Sequence, residues 1–177
     1  MDSLRSEGAV LTYPQLQSLL RIEFARARRY HYALSCLILA VDRIEHLADI
    51  YGANARQEIL LSLIKLIRLH TRSSDAVGMS SDRIILVLPH TDEEGALTLA
   101  QRVHGQTAEL RFRIGGKDLS VTLSVGLATC ADRGHIFYDS LLKNAEQALT
   151  TVVEKGGNGV LLYSGPSPRF DASPQSA

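Results

Sequence analysis

Few residues of this 177-residue sequence are spaced for metal or phosphate chemistry. The two cysteines, Cys36 and Cys130, form no C-x-x-C pair, so we expect buried free thiols rather than a zinc site or a disulfide. The six histidines include no pair four residues apart, and the run Gly115-Gly116-Lys117 lacks the spacing of a phosphate-binding loop. The sequence therefore predicts no metal and no cofactor, and it favours a hairpin turn at the two glycines.

Composition narrows the choice of partners and compartment. Lysine plus arginine (19) equals aspartate plus glutamate (19), so no overall field favours nucleic acid or an anionic membrane. The cluster Arg26, Arg28 and Arg29 is interpreted as the solvated face of a helix. No secretory signal and no membrane-spanning run is visible, which together with the expected free thiols predicts a cytoplasmic protein.

Periodicity and turn residues divide the chain into helices and strands. The predicted helices are 11–30, 44–51, 53–70, 92–108 and 140–155, the fourth capped by Thr91 with Glu94 in a capping box. The predicted strands are 33–41, 76–79, 83–88, 111–114, 119–129 and 160–163. This order predicts an α/β domain with one mixed central sheet of five to six strands and flanking helices. We predict an N-terminal extension at 1–10, the domain at 11–163 and a disordered Ser/Pro-rich tail at 164–177.

Four segments in order resemble the bacterial GGDEF, or diguanylate cyclase, family. The strand T-L-S-V-G-L-A at 122–128 is similar to the T-[VI]-S-[IV]-G-[VI]-A strand of the family. L-I-L-A-V-D at 37–42, with Tyr51-Gly52, resembles its first strand and the end of its next helix. The segment from Ala145 to Asn158 resembles its last helix, and Leu11-Thr12 resembles its opening.

The resemblance implies a fold like the palm of polymerases, with the family signature on a β-hairpin. Palm chemistry uses carboxylates that converge on two metal ions, and it uses glycines that let the backbone approach the nucleotide. Aligned on the hairpin, the signature falls on Ser80, Ser81, Asp82, Arg83 and Ile84. The family's metal-binding aspartate on the first strand falls on Ala40. The resemblance therefore implies a degenerate signature.

The positions that bind substrate in the family are also changed. Its guanine-reading residues fall on Ala48 and Gln57, and its phosphate-binding residues fall on Val153 and Gly157. Each lost contact would remove a few kcal/mol of transition-state stabilisation. We therefore predict that the chain is not an enzyme and has no catalytic residues.

One family motif is retained. Many members bind cyclic di-GMP at a second, inhibitory site with the motif R-x-x-D before the hairpin and an arginine on the following helix. Here the corresponding residues are Arg72, Asp75 and Arg102. Arginine pairs with phosphate and stacks on purines. The resemblance therefore implies a non-catalytic signalling domain that is a receptor for cyclic di-GMP.

Ordinary structural roles are the alternative for the same residues. Arg72 follows a helix C-terminus, where a cation is favoured, Asp75 suits a turn, and Arg102 suits an exposed helix face. The alternative function is a regulatory or protein–protein interaction module that binds no nucleotide. Either function is compatible with a protein partner or a homodimer, and the sequence identifies neither.

Overall fold

The computed structural model describes residues 9–130 and 138–165. In these ranges the chain forms β1 (Leu11–Thr12), α1 (Tyr13–Tyr30), β2 (Leu34–Val41), α2 (Ile44–Tyr51), α3 (Ala53–His70), β3 (Ala76–Ser80), β4 (Arg83–Pro89), α4 (Glu93–Glu109), β5 (Phe112–Ile114), β6 (Lys117–Leu119), β7 (Leu123–Cys130), α5 (Tyr138–Glu154) and β8 (Gly159–Leu162). The predicted N-terminal extension and tail lie largely outside the described residues. None of the helices described is long and apolar enough to cross a membrane.

Six strands form one mixed sheet in the order β1-β3-β4-β2-β7-β8. The long strand β2 pairs antiparallel with β4 on one side and with β7 on the other. The edge strands β1 and β8 pair in parallel with their neighbours, and β5 and β6 form a separate small hairpin. The predicted mixed sheet of five to six strands with flanking helices is confirmed.

Helices cover both faces of the sheet, which is why its central strands are apolar on both sides. One face buries residues such as Leu37 and Ile84 against α2, α3 and α4. The opposite face buries Ile38 and Ile85 against α1 and α5. Because complete burial of such a side chain contributes about 1.5–3 kcal/mol, these two layers fix where the polar ends of the strands lie.

Helix α5 approaches the sheet most closely at Gly126 on β7. A Cβ atom at this position would overlap the backbone of α5 at Ala145 and Leu149. Glycine is therefore required by the helix–sheet distance. The close packing sets the position of Glu146, the residue after Ala145, beside the start of β4.

Three local predictions are wrong. Leu11 and Thr12, predicted as the start of the first helix, form strand β1, and α1 begins at Tyr13. Asp92, rather than Thr91, caps α4, and its carboxylate accepts a hydrogen bond from the Gly95 amide at 2.9 Å. The Thr91 hydroxyl donates instead to the Pro89 carbonyl. The predicted strand 119–129 is interrupted, because Leu119 belongs to the β5–β6 hairpin and β7 begins at Leu123.

Candidate functional site

The three residues of the predicted binding motif line one groove. Arg72 and Asp75 lie in the loop between α3 and β3, and Arg102 lies on α4. The groove has a volume of about 370 Å³. The structure thus brings the R-x-x-D motif and the helix arginine together, as the resemblance implies, while ligand binding itself stays a prediction.

The loop that carries the motif is a closed turn. The Asp75 amide donates to the Arg72 carbonyl at 3.0 Å, and the Arg72 amide donates to Asp75 Oδ2 at 2.7 Å. The spacing of three residues lets the aspartate side chain satisfy the backbone N–H of Arg72. The ordinary turn role predicted for Asp75 and its place in the groove therefore hold at the same time.

The two carboxylate oxygens of Asp75 differ in their hydrogen bonds, since Oδ2 accepts from the Arg72 amide and Oδ1 does not. Asp75 Oδ1 is buried and has no hydrogen-bond partner among the described residues. Burial raises the pKa of Asp75 above its ordinary value, against the lowering effects of the Arg72 backbone N–H, the Arg72 charge and the Ser74 side chain. A buried acceptor without a donor is costly, so this oxygen would gain from an N–H supplied by a ligand.

Both guanidinium groups of the groove are open to solvent. Arg72 and Arg102 are exposed, and within the described part of the chain neither forms an ion pair. Two fixed positive charges beside a buried acceptor suit a ligand that carries both anionic groups and N–H donors.

Sequence reasoning missed other members of the groove. His70, the last residue of α3, lines it, and its Nε2 atom lies 2.6 Å from Gln106 Oε1 on α4. Asp92 and Glu94, at the start of α4, add negative charge at the groove. The signal for Gln106 was its position four residues after Arg102, which puts both on the same helix face.

The degenerate signature lies at the tip of the β3–β4 hairpin. Ser80 pairs with Arg83, which leaves Ser81 and Asp82 as the turn, and Ser81 adopts a left-handed φ of 54°. Arg83 also faces Ala40 on β2 in the sheet register. The hairpin tip therefore lies beside the C-terminal end of β2.

The two charged residues of the hairpin tip are bound within the protein. Asp82 accepts from Arg56 Nε on α3 at 2.6 Å, and its side chain is only 18% exposed. Arg83 forms an ion pair with Glu146 on α5. Two helices on opposite faces of the sheet thus hold the tip. Helix α3 supplies the cation for Asp82, and α5 supplies the anion for Arg83.

Asp42, just past the end of β2, joins three elements. Its carboxylate accepts hydrogen bonds from the Thr122 and Ser124 hydroxyls, each at 2.6 Å, and from the backbone N–H of Asn158 at 2.9 Å. A Cβ atom at Gly157, where φ is +77°, would come 2.6 Å from Asp42 Oδ1. The glycine at this position is therefore explained by the close approach of the carboxylate.

Metal ligands were also considered for the described residues. Over 9–130 and 138–165, no group of three or more His, Cys, Asp or Glu side chains is placed to hold a metal ion. The carboxylates of Asp82 and Asp42 have the protein partners given above.

Comparison with known proteins identifies relatives of the chain. The family model described as "Diguanylate cyclase, GGDEF domain" matches residues 14–159. Diguanylate cyclase DosC of Escherichia coli is 31% identical over 150 residues, which are 84% of this chain and 32% of DosC. The chain therefore spans about a third of the length of this curated relative.

Solved structures match the fold closely. The GGDEF domain of DgcB from Caulobacter crescentus, in complex with c-di-GMP, has a TM-score of 0.82 at 15% identity, covering 88% of this chain and 90% of that domain's chain. Diguanylate cyclase SiaD of Pseudomonas aeruginosa, in complex with its activator SiaC, has a TM-score of 0.81 at 25% identity. This match covers 90% of this chain and 62% of SiaD.

The names of these relatives contradict one prediction. We predicted that the chain is not an enzyme, yet the similar proteins DosC and SiaD are named diguanylate cyclases. The prediction rested on single positions such as Ala40 and Arg83, whereas the likeness to DosC extends over 84% of the chain. Differences at single positions in one sequence do not establish that activity is lost.

Proposed function

Because the chain belongs to the family of diguanylate cyclase GGDEF domains, we propose that it acts in cyclic di-GMP signalling by binding this dinucleotide in the groove of Arg72, Asp75 and Arg102. One observation carries the proposal. Two exposed arginines line the same groove as Asp75, whose Oδ1 atom is buried without a donor among the described residues.

The chemistry of the ligand complements the groove. Guanidinium groups pair with phosphate oxygens through two parallel hydrogen bonds and stack on purine faces. The N1–H and amino group of guanine can donate hydrogen bonds to Asp75 Oδ1. The volume of about 370 Å³ lies in the range of small-molecule sites, roughly 300–1,000 Å³, so the groove has room for part of a dinucleotide.

A calorimetric titration tests the proposal. We expect the chain to bind cyclic di-GMP, and we expect Arg72→Ala and Arg102→Ala each to weaken binding tenfold or more, as for loss of a charged hydrogen-bond partner worth about 1.5–3 kcal/mol. Arg113→Ala is the matched control, because Arg113 is an exposed arginine on β5 outside the groove.

Two results would contradict the proposal. Equal affinity of wild type, Arg72→Ala and Arg102→Ala would place the binding site elsewhere. No heat at tens of micromolar ligand would leave the alternative of an interaction module that binds no nucleotide.

The names of the curated relatives favour a second candidate function, synthesis of cyclic di-GMP from GTP. Such chemistry relies on carboxylates that hold metal ions, and the two candidates are Asp82, in the signature, and Asp42, just past the end of β2. Product formed from GTP with magnesium or manganese, and lost in both Asp82→Asn and Asp42→Asn, would support it. Product unaffected by either change would show that neither carboxylate takes part, and Asp118→Asn, on the exposed β6, is the control.

A further inference from the structure

The loop that carries Arg72 and Asp75 is flanked by two elements that both contact the first described residues of the chain. Helix α3 precedes the loop, and strand β3 begins at Ala76, directly after Asp75. Ala9 contacts α3, and β1 pairs with β3. Residues 9–12 thus contact both α3, which precedes the loop, and β3, which follows it.

The contact with α3 is made by Arg68. Its Nη2 atom donates to the Ala9 carbonyl at 2.6 Å, while its Nε atom is buried without a hydrogen-bond partner among the described residues. Arg68 lies in the last turn of α3, two residues before His70, which lines the groove. The Nη2 bond therefore ties the Arg68 side chain to Ala9, whereas burial of the Nε donor without an acceptor is unfavourable.

The contact with β3 is short and depends on a glycine. Strand β1 pairs with β3 through only two residue pairs, Leu11 with Gly78 and Thr12 with Met79. A Cβ atom at Gly78 would lie 3.0 Å from the Leu11 carbonyl oxygen and 3.0 Å from Leu16 Cδ1. Glycine therefore permits the strand and α1 to approach this edge.

From these contacts we infer that Arg68 is a positioning residue that couples the docking of β1 to the shape of the Arg72–Asp75 loop. When β1 is docked, Arg68 fixes the last turn of α3 and β1 fixes the start of β3, so both ends of the loop are held. Release of β1 loosens both ends together. The consequence for ligand affinity rests on the proposed function, whereas the coupling itself does not.

Hydrogen exchange without ligand tests the coupling directly. In Arg68→Gln we expect faster amide exchange both in residues 9–12 and in the loop at 72–75, by about fivefold or more, the lower end of usual coupling between sites. Arg68→Lys, which keeps a donor for Ala9, should restore part of the protection. Lys65→Gln is the control, since it removes a charge from the exposed face of α3 without touching Ala9.

A second variant guards against a folding defect in Arg68→Gln. Gly78→Ala crowds the Leu11 carbonyl and Leu16 with no change of charge, and it should speed exchange in residues 9–12 and in the loop at 72–75. If either folded variant deprotects residues 9–12 but leaves 72–75 at the wild-type rate, the coupling is wrong. If Arg68→Gln does not fold, as judged by circular dichroism, Gly78→Ala alone decides.

Titration with cyclic di-GMP then separates this inference from the proposed function. If the wild type binds, Arg68→Gln and Gly78→Ala should lower the affinity at least about fivefold while Lys65→Gln leaves it unchanged; an unchanged affinity in the first two would refute the effect on the groove. If the wild type does not bind, the proposed function fails and the exchange data alone decide the coupling.

Discussion

Strand β3 connects two charged regions that differ in how their charges are satisfied. At its start, the groove leaves Arg72 and Arg102 without ion pairs in the described structure and leaves Asp75 Oδ1 without a donor. At its end, the hairpin tip binds Asp82 to Arg56 and Arg83 to Glu146. One region is open to a ligand, and the other is neutralised by the protein itself.

This difference distinguishes binding groups from structural ones. A ligand in the groove can interact with Arg72 and Arg102, which otherwise face solvent, and with Asp75 Oδ1, which otherwise has no partner among the described residues. An anion at the tip would have to compete with Glu146 for Arg83, and a cation would have to compete with Arg56 for Asp82. We therefore expect substitutions in the groove to change affinity and substitutions at the tip to change mainly stability.

The largest effect is expected when both groove arginines are removed. In Arg72→Ala/Arg102→Ala, the affinity for cyclic di-GMP should fall at least about a hundredfold, since each charged hydrogen bond contributes about 1.5–3 kcal/mol and each tenfold change corresponds to about 1.4 kcal/mol. Calorimetry on this variant and on Arg83→Ala measures the contrast. Comparable losses in the two variants would abolish the distinction between groove and tip.

Asp42 provides the next largest effect, and it concerns stability. Asp42→Ala removes the acceptor of three hydrogen bonds, so the free energy of unfolding should fall by about 2–3 kcal/mol. Denaturant unfolding of this variant is compared with that of Asp118→Ala, which changes an exposed aspartate on β6. A loss no larger than in the control would mean that Asp42 does not join these elements energetically.

The pH dependence of binding sharpens the assignment of Asp75. The N–H donors of the ligand need the ionised carboxylate of Asp75 as their acceptor. The affinity should therefore decrease as the pH falls through the pKa of Asp75. Burial raises this pKa above the usual aspartate value. The decrease is at most about tenfold per pH unit. Asp92 and Glu94 are the other carboxylates that line the groove.

Asp75→Asn is the control for that titration. The amide cannot gain a proton in this range, so the decrease in affinity that Asp75 causes toward acid pH should disappear. An identical pH profile in wild type and Asp75→Asn would exclude Asp75 from the ligand contacts. The same raised pKa means that the ionised Asp75 opposes folding. Its contribution to stability is present at low pH and is lost as the pH rises through its pKa.

The sequence predicted the fold well because the fold depends on periodic apolar residues. The continuous apolar run at 33–41 predicted the central strand. This works because β2 is buried on both faces and therefore carries apolar side chains at nearly every position. The motif at Arg72 and Asp75 came from the resemblance to the family, whose R-x-x-D segment is short and can be recognised in one stretch of sequence. The partner Arg102 came from the same resemblance, by counting forward from Pro89 without gaps.

The contacts of the hairpin tip could not be predicted in the same way. Arg56 and Asp82 are 26 residues apart, and the Asp42 network joins residues separated by 80 or more. Such pairs depend on strand register and on close packing at Gly126 and Gly157, which periodicity does not encode. The strand break between Leu119 and Leu123 was missed for a similar reason, since both segments are compatible with a strand.

The smallest effect is expected for the ion pair between Arg83 and Glu146. Their side chains are 47% and 38% exposed, and water screens pairs at such exposure, so the coupling should be only about 0.2–1 kcal/mol. A double-mutant cycle with Arg83→Ala, Glu146→Ala and the double variant, followed by denaturant unfolding, measures this coupling free of each residue's other contacts. The Arg56–Asp82 pair serves as the comparison, because Asp82 is less exposed, and its cycle should give the larger value. A coupling above about 2 kcal/mol for Arg83 and Glu146 would show that their pair is shielded from solvent and that the tip is held rigidly from the α5 side.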